Sequence, residues 1–243
     1  MPVYRGFDVL TNKVTDEERR NVPHHLIGVV DPTEDFIAKD FCRAATQTIG
    51  SITAKGHLPI IAGGSNSFVE ALMDDPECRL GSTYDVCFLW VGVSMPVLHS
   101  FVPRRLEKMV EQGTVDEARA AFDAENADYS TGIRKSIGVG EFHRYFQAEA
   151  TADAATQAAL LKEALDEVTV NACALVTRQL ENIKRLRDVR GWKLHRVEAT
   201  EVIRMMAAGG GGGSKVEEMW VNEVVGPSAT IVTRFLHNSF AAE

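Results

Sequence analysis

The sequence predicts an α/β fold: a parallel sheet flanked by helices, followed by a mainly helical second half. Short apolar runs at 25–30, 58–62 and 86–93 are separated by segments long enough for helices. The run Val86-Cys87-Phe88-Leu89-Trp90-Val91-Gly92-Val93 is nearly continuous, the mark of a strand buried on both faces of a parallel sheet. From about residue 95 onward, apolar residues recur mostly at helical spacing. Strands joined by helices imply right-handed crossovers and a doubly wound core.

Taken in order, His25–Val30 reads as a strand ended by Asp31-Pro32. Phe36, Ile37, Phe41, Ala44, Ala45, Ile49 and Ile52 line one face of a helix over 35–55, stopped by Gly56. Leu58-Pro59-Ile60-Ile61-Ala62 reads as a buried strand delivering Gly63-Gly64, and Ser65–Met73 as the next helix. Helices follow at 95–112, 115–123, 140–147 and 154–188, with Pro103 expected to kink or interrupt the first. Trp192–Val197 reads as a late strand. The expected division is an α/β core from 1–94 with parts of 175–243, a helical substrate-covering region at 95–175, and a Gly-rich linker at 209–214.

Bulk properties exclude several classes. Hydrophobic content of 45% and charged content of 25% over 243 residues are those of a soluble globular protein. No apolar run nears the ~20 residues of a membrane-spanning helix. A chain of formal charge −8 lacks the broad basic surface expected of a protein that wraps a large nucleic acid and leaves room for a local basic patch. Cys42, Cys78, Cys87 and Cys173 include no Cys-x-x-Cys pair, which argues against a zinc site and for thiols in a reducing compartment. Met1 leads straight into a structured motif, so no targeting segment is expected within these residues.

Four motifs carry chemistry. Gly63-Gly64-Ser65-Asn66-Ser67 joins a predicted strand to a helix, where backbone amides and hydroxyls can meet an anion; a plain turn capped by Ser65 accounts for the same residues. Arg104-Arg105 offers guanidiniums for bidentate diphosphate contacts, although a solvated helix face explains one of the two. Thr131-Gly132-Ile133-Arg134-Lys135-Ser136-Ile137-Gly138 sets two cations between glycines. Thr177-Arg178-Gln179 lies on the long helix, where Arg178 is either a phosphate ligand or balances nearby carboxylates. The Gly209–Lys215 stretch is not a P-loop, because Lys215 follows Ser214 and Val216 stands where the metal-binding hydroxyl belongs. His24 and His25 have no third ligand nearby and read as structural.

The opening block, Val3-Tyr4-Arg5-Gly6-Phe7-Asp8 with Thr11-Asn12-Lys13 and then Val22-Pro23-His24-His25-Leu26, resembles a block of the isopentenyltransferases. The Gly63-Gly64-Ser65 turn, the Arg105 helix with Met109 and Gly113, the Thr131–Gly138 block and Gly191-Trp192 with His195-Arg196 resemble the same family. The resemblance runs from Val3 to about Phe240 and is nearest to the plant adenylate isopentenyltransferases. Gly92 departs from it, standing where plant members usually have aspartate, and so does Pro2, where they have glutamine.

The resemblance implies a P-loop NTPase-like sheet and transfer of a dimethylallyl group from its diphosphate to the exocyclic amine of AMP, ADP or ATP, as in cytokinin biosynthesis. It implies Mg²⁺ as cofactor. It assigns donor-diphosphate and substrate contacts to Thr11, Lys13, Gly63, Gly64, Ser65, Asn66, Ser67, Arg105, Arg134, Lys135 and Arg178. In the family a P-loop and an aspartate base precede the Val-Tyr pair, and neither occurs within these 243 residues. The chain as given is therefore expected to be inactive, with Asp8 or Asp31 as the stand-in base were it to turn over. A monomer acting on small substrates in the plastid or cytoplasm, off the membrane and not on tRNA, is the expected setting. The alternatives are a tRNA dimethylallyltransferase and a non-catalytic, truncated ligand- or partner-binding module.

Overall fold

The computed structural model describes residues 2–208 and 213–240. The first half contains α1 (Asp16–Arg19), α2 (Ala38–Thr53), α3 (Asn66–Asp74), α4 (Leu80–Thr83), β1 (Phe88–Gly92), α5 (Met95–Glu111) and α6 (Thr114–Ala120). Two 3-10 turns, Gly132–Lys135 and Gly140–Phe142, lead into α7 (His143–Ala148) and α8 (Ala154–Asp188). Then come β2 (Leu194–Glu198), α9 (Thr200–Ala207), α10 (Ser214–Trp220), a π turn at Val221–Val225 and α11 (Gly226–Phe240). The fold is mixed α/β with a small parallel sheet and a mainly helical second half.

The chain forms two compact units. One comprises Met1–Gly63, Ser67–Cys78 and Arg105–Ala172; the other comprises Gly64–Asn66, Arg79–Arg104 and Cys173–Glu243. The expected grouping of 1–94 with the C-terminal part is drawn differently here: residues 1–63 share a unit with 105–172. The expected linker at 209–214 falls mainly outside the described residues; Gly213 is extended and Ser214 opens α10.

The core of the first unit joins three distant stretches of chain. Tyr4 and Leu10 from the N-terminal block, Ile133, Val139 and Phe142 from the 3-10 segment, and Ala164 and Val168 from α8 are all buried together. On α2, Cys42, Ala45 and Ile49 are buried at the spacing of one helix face. Phe68 of α3 stacks on Phe41 with centroids 5.4 Å apart and meets Phe36 at 6.3 Å. The capping box on α1 is complete: Glu18 N donates to Thr15 Oγ1 at 3.2 Å and Thr15 N to Glu18 Oε2 at 2.9 Å.

Two predicted strands are corrected. Residues 25–30 make only an isolated parallel bridge, Tyr4 to Val30, with Arg5 N donating to Val30 O at 2.8 Å. Residues 58–62 form no strand; Leu58, Ile60 and Ile61 are 51%, 82% and 44% exposed. An apolar run states a preference for burial, but a strand also needs a ladder partner, and no described segment pairs with this run. Pro103 sits inside α5 without ending it.

The second unit holds the sheet. β1 and β2 pair in parallel from Phe88–Leu194 to Gly92–Glu198. Phe88 stacks on Trp192 at 4.5 Å, and the Arg196 guanidinium lies 5.0 Å from the Trp90 ring centroid. Val197, Ala199, Val202, Val216 and Val224 form the core beneath. Thr200 Oγ1 accepts from Ser94 N at 2.9 Å, fixing the turn after β1.

Gly132 shows how tightly the first unit is closed. Its φ is +56°, and a Cβ there would lie 2.3 Å from Pro32 O, a backbone atom with no freedom to swing away. Gly28, at φ +64°, has open space around its Cβ position. Gly28→Ala should cost about 1 kcal/mol of left-handed strain, and Gly132→Ala that cost plus the clash, more than about 2 kcal/mol. Urea denaturation of the two variants checks the difference.

Candidate functional site

The loop from Gly6 to Lys13 folds back on itself. Gly6, Phe7 and Asn12 have φ of +63°, +55° and +49°, and Thr11 Oγ1 donates to Phe7 O at 2.7 Å. The Lys13 side chain is only 6% exposed; its Nζ donates to Asp8 Oδ1 at 2.8 Å and to Gly6 O. Glu117 of α6 holds the loop from outside: Val9 N donates to Oε1 at 3.1 Å and Leu10 N to Oε2 at 2.7 Å. No local signal marks this role, because the partners are 107 and 108 residues away in sequence.

The Thr131–Gly138 block lies in the same unit, and its two cations diverge. Arg134 donates to Asn126 O and covers the Tyr129 ring at 4.6 Å, while its Nε is buried without a partner. Lys135 Nζ donates to Asp35 Oδ1, and this contact is the largest cause of the lowered Asp35 pKa. Behind the block, Glu141 accepts from Gly138 N and from Asn171 Nδ2, both at 2.9 Å. Leu10 Cδ1 would lie 3.1 Å from a Cβ on Gly138, so the Lys13 loop and this block pack against each other.

Arg105 is different. Although the residue retains exposed surface, neighbouring protein desolvates its guanidinium and lowers its pKa. Among the described residues it has no hydrogen-bond or ion-pair partner. A crowded guanidinium with no counter-charge is unfavourable by itself and favourable once an anion arrives.

In the second unit, Gly64 and Asn66 dock on α8 beside Arg178. Asn66 Nδ2 donates to Gln179 O at 3.1 Å, and a Cβ on Gly64 would meet Gln179 Nε2 at 3.3 Å. Two motifs separated by more than a hundred residues thus meet at Gln179. Arg178 is exposed and has no partner among the described residues. Ser65 is exposed in this turn; Gly63 (φ +154°) and exposed Ser67 belong to the first unit.

Neither stand-in base is well suited to the task. Asp8 is ion-paired with Lys13. Asp31 has its pKa lowered first by the Thr33 hydroxyl at 2.7 Å, then by Thr33 N and Arg5, which makes it a poor proton acceptor.

Two variants test this geometry. Glu117→Ala strands two backbone amides and should destabilise the first unit by about 2–4 kcal/mol, measured by denaturant melts. For Asp35, the folded pKa lies below the ordinary value near 4, so its contribution is present above that value and is lost as pH falls through the folded pKa. Asp35→Asn should therefore be less stable than the parent near neutrality and converge with it in acid, as pH-dependent melting would record.

The IPP transferase family model matches residues 2–82 and 74–186. Adenylate isopentenyltransferase 3, chloroplastic, from Arabidopsis thaliana is 47% identical over 236 residues, covering 96% of this chain and 68% of that protein. Adenylate isopentenyltransferase 5, chloroplastic, from the same plant is 48% identical over 240 residues, covering 98% and 70%. Among solved structures, a eukaryotic dimethylallyltransferase acting on tRNA superposes with a TM-score of 0.75 at 17% identity, covering 98% of this chain and 71% of that one. At that identity the likeness concerns the fold.

Proposed function

The chain belongs to the IPP transferase family, and from that premise we propose that it serves transfer of a dimethylallyl group from dimethylallyl diphosphate to the exocyclic amine of an adenine nucleotide, the entry to cytokinin synthesis. The observation that carries this reading is the 47–48% identity to adenylate isopentenyltransferases along 96–98% of the chain. In the reaction the allylic C–O bond breaks and the diphosphate leaves with the electron pair. The adenine nitrogen forms the new C–N bond and gives up a proton to a base.

Charge grows on the departing diphosphate, so cations aimed at it lower the barrier. Arg105 is the strongest candidate, since neighbouring protein crowds its guanidinium and it has no partner among the described residues. Lys13, Arg134, Lys135 and Arg178, with Thr11, Gly63, Gly64, Ser65, Asn66 and Ser67, are the remaining proposed contacts. Arg134 and Lys135 are already engaged, with Asn126 O and Asp35, and would have to exchange those partners for a phosphate oxygen. Among the described residues no group of three or more His, Cys, Asp or Glu side chains can hold a metal ion. Mg²⁺ enters this proposal only as an ion carried by the diphosphate itself, and no step is derived through it.

A tRNA acceptor is the second reading, favoured by the fold likeness. The net charge of −8 weighs against it, because a large nucleic acid needs a broad basic surface. Among the described residues no helix is long and apolar enough to cross a membrane. Similar plant proteins are named chloroplastic or mitochondrial, and of these a plastid setting is the one proposed for this chain.

The test is prenyl transfer to AMP, ADP, ATP and an anticodon stem-loop, with the 243 residues alone and joined to the P-loop strand, helix and aspartate of a close relative. The 243 residues contain no G-x-x-x-x-G-K-[ST], so the joined protein should turn over nucleotide and the shorter chain should not. In the joined protein Arg105→Ala should cost about a hundred-fold or more in turnover with little change in melting temperature. Arg134→Ala should lose stability as well. Robust turnover of the 243 residues alone, or preference for the stem-loop, would overturn this reading.

A further inference from the structure

Cys42 and Cys78 lie far apart in sequence and meet in the first unit. Cys42 sits on the inner face of α2 and is 1% exposed; Cys78 lies just beyond α3 and is half-buried. The turn that carries Cys78 packs on α2 around Lys39, Arg43 and Thr46, the residues flanking Cys42, and Cys78 is near enough to Cys42 to add to the upward shift that burial gives its thiol. Cys78 lines a cavity of about 410 Å³ together with Lys39, Arg43 and Thr46 of α2 and Asp75 and Glu77 of the turn. Lys39 Nζ donates to Glu77 Oε1 at 2.9 Å, tying α2 to that turn. Within the turn, Glu77 N donates to Asp75 Oδ1 at 2.7 Å and Cys78 N to Asp75 O at 3.1 Å, which holds Cys78 in place. Thr46, one helical turn beyond Cys42 and also on the cavity wall, keeps a buried hydroxyl with no partner.

We propose that Cys42 and Cys78 are a site of reversible thiol–disulfide exchange, opened to a low-molecular-weight disulfide through this cavity and closed by an intramolecular bond that staples α2 to the end of α3.

The chemistry balances in two exchanges. The Cys78 thiolate attacks one sulfur of the small disulfide, the S–S bond breaks, and one small thiolate leaves and takes up a proton. Cys42 then loses its proton, and its sulfur attacks Cys78 Sγ of the mixed disulfide and displaces the second small thiolate. Two protein thiols are oxidised and one small disulfide is reduced to two thiols. Position sets the order of events: Cys78 reaches the cavity and Cys42 does not. Burial, then the nearby Cys78, pushes the Cys42 thiol up to about 12, so Cys42 is a poor first nucleophile.

The test treats the 243-residue chain with glutathione disulfide at about pH 8, where an ordinary thiol is partly ionised, followed by peptide mapping. The expected product is a Cys42–Cys78 cross-linked peptide, reversed by dithiothreitol, with a melting temperature raised by about 5–10 °C. Cys42→Ser should instead accumulate a glutathione adduct on Cys78, and Cys78→Ser should leave Cys42 unmodified. Cys78 is half-buried where Cys42 is fully buried, which makes the second variant the safer one to fold. Failure to recover the Cys42–Cys78 peptide, or a glutathione adduct on Cys42 in Cys78→Ser, would overturn the proposal.

Discussion

The Glu117 carboxylate, gripping the amides of Val9 and Leu10, is the contact on which the first unit's arrangement turns. The loop it holds has residues at positive φ, two of them not glycine, and such a conformation does not persist by local preference. Charge-assisted bonds to two adjacent amides give the loop an anchor, and Leu10 then fills the space over Gly138. The anchor also settles where Lys13 goes. With its chain sealed to 6% exposure and its ammonium on Asp8 and Gly6 O, Lys13 has become part of the loop's own scaffold.

The cations of the first unit therefore fall into two kinds. Lys13 and Arg134 are built into the fold, one with its side chain sealed against its own loop and the other stacked on Tyr129. Lys135 and Arg105 are exchangeable or free. Lys135 faces Asp35 across a partly exposed pair, which solvent screens and an incoming dianion can displace. Arg105 is exposed yet crowded by neighbouring protein, which lowers its pKa, and has no partner among the described residues. An anion-binding site needs both kinds, because exchangeable charge gives affinity only if rigid charge has first shaped the chain around it.

Helices were legible in the sequence because their signal is local. The face of α2, the 35-residue α8 and the α5–α6 turn at Gly113 all follow from spacing and punctuation within a few residues. The late strand was legible as well, since Trp192 to Val197 carries its own pattern. Residues 25–30 and 58–62 misled for a physical reason: apolar content fixes what a segment avoids, while strand identity depends on a partner's amides and carbonyls. The candidate site shows the same divide. The cationic motifs stood out, and what each cation does was hidden: Asp35 for Lys135 is 100 residues away, and Asn66 reaches Gln179 across 113. Glu117 sits in an ordinary helical context and shows its importance only through the loop it holds.

The sheet corner at Gly92 makes the same point from a missing side chain. Plant members of the family usually place an aspartate there, which suggests a lost carboxylate. In this chain the space is filled: a Cβ on Gly92 would fall 2.4 Å from Arg196 Nε, so Arg196 crosses the residue on its way to the Trp90 face. The carboxylate at this corner comes from Glu198, the residue paired with Gly92 in the ladder, which binds Arg196 Nη2 at 2.6 Å and accepts from the Thr200 hydroxyl. Thr200 in turn caps the turn after β1 through Ser94 N. The hydroxyl contact is the largest cause of the lowered Glu198 pKa, which keeps this carboxylate ionised and the chain of contacts intact. A departure that reads as a deletion in one strand is thus absorbed by its neighbour, and only the register between the two makes that visible.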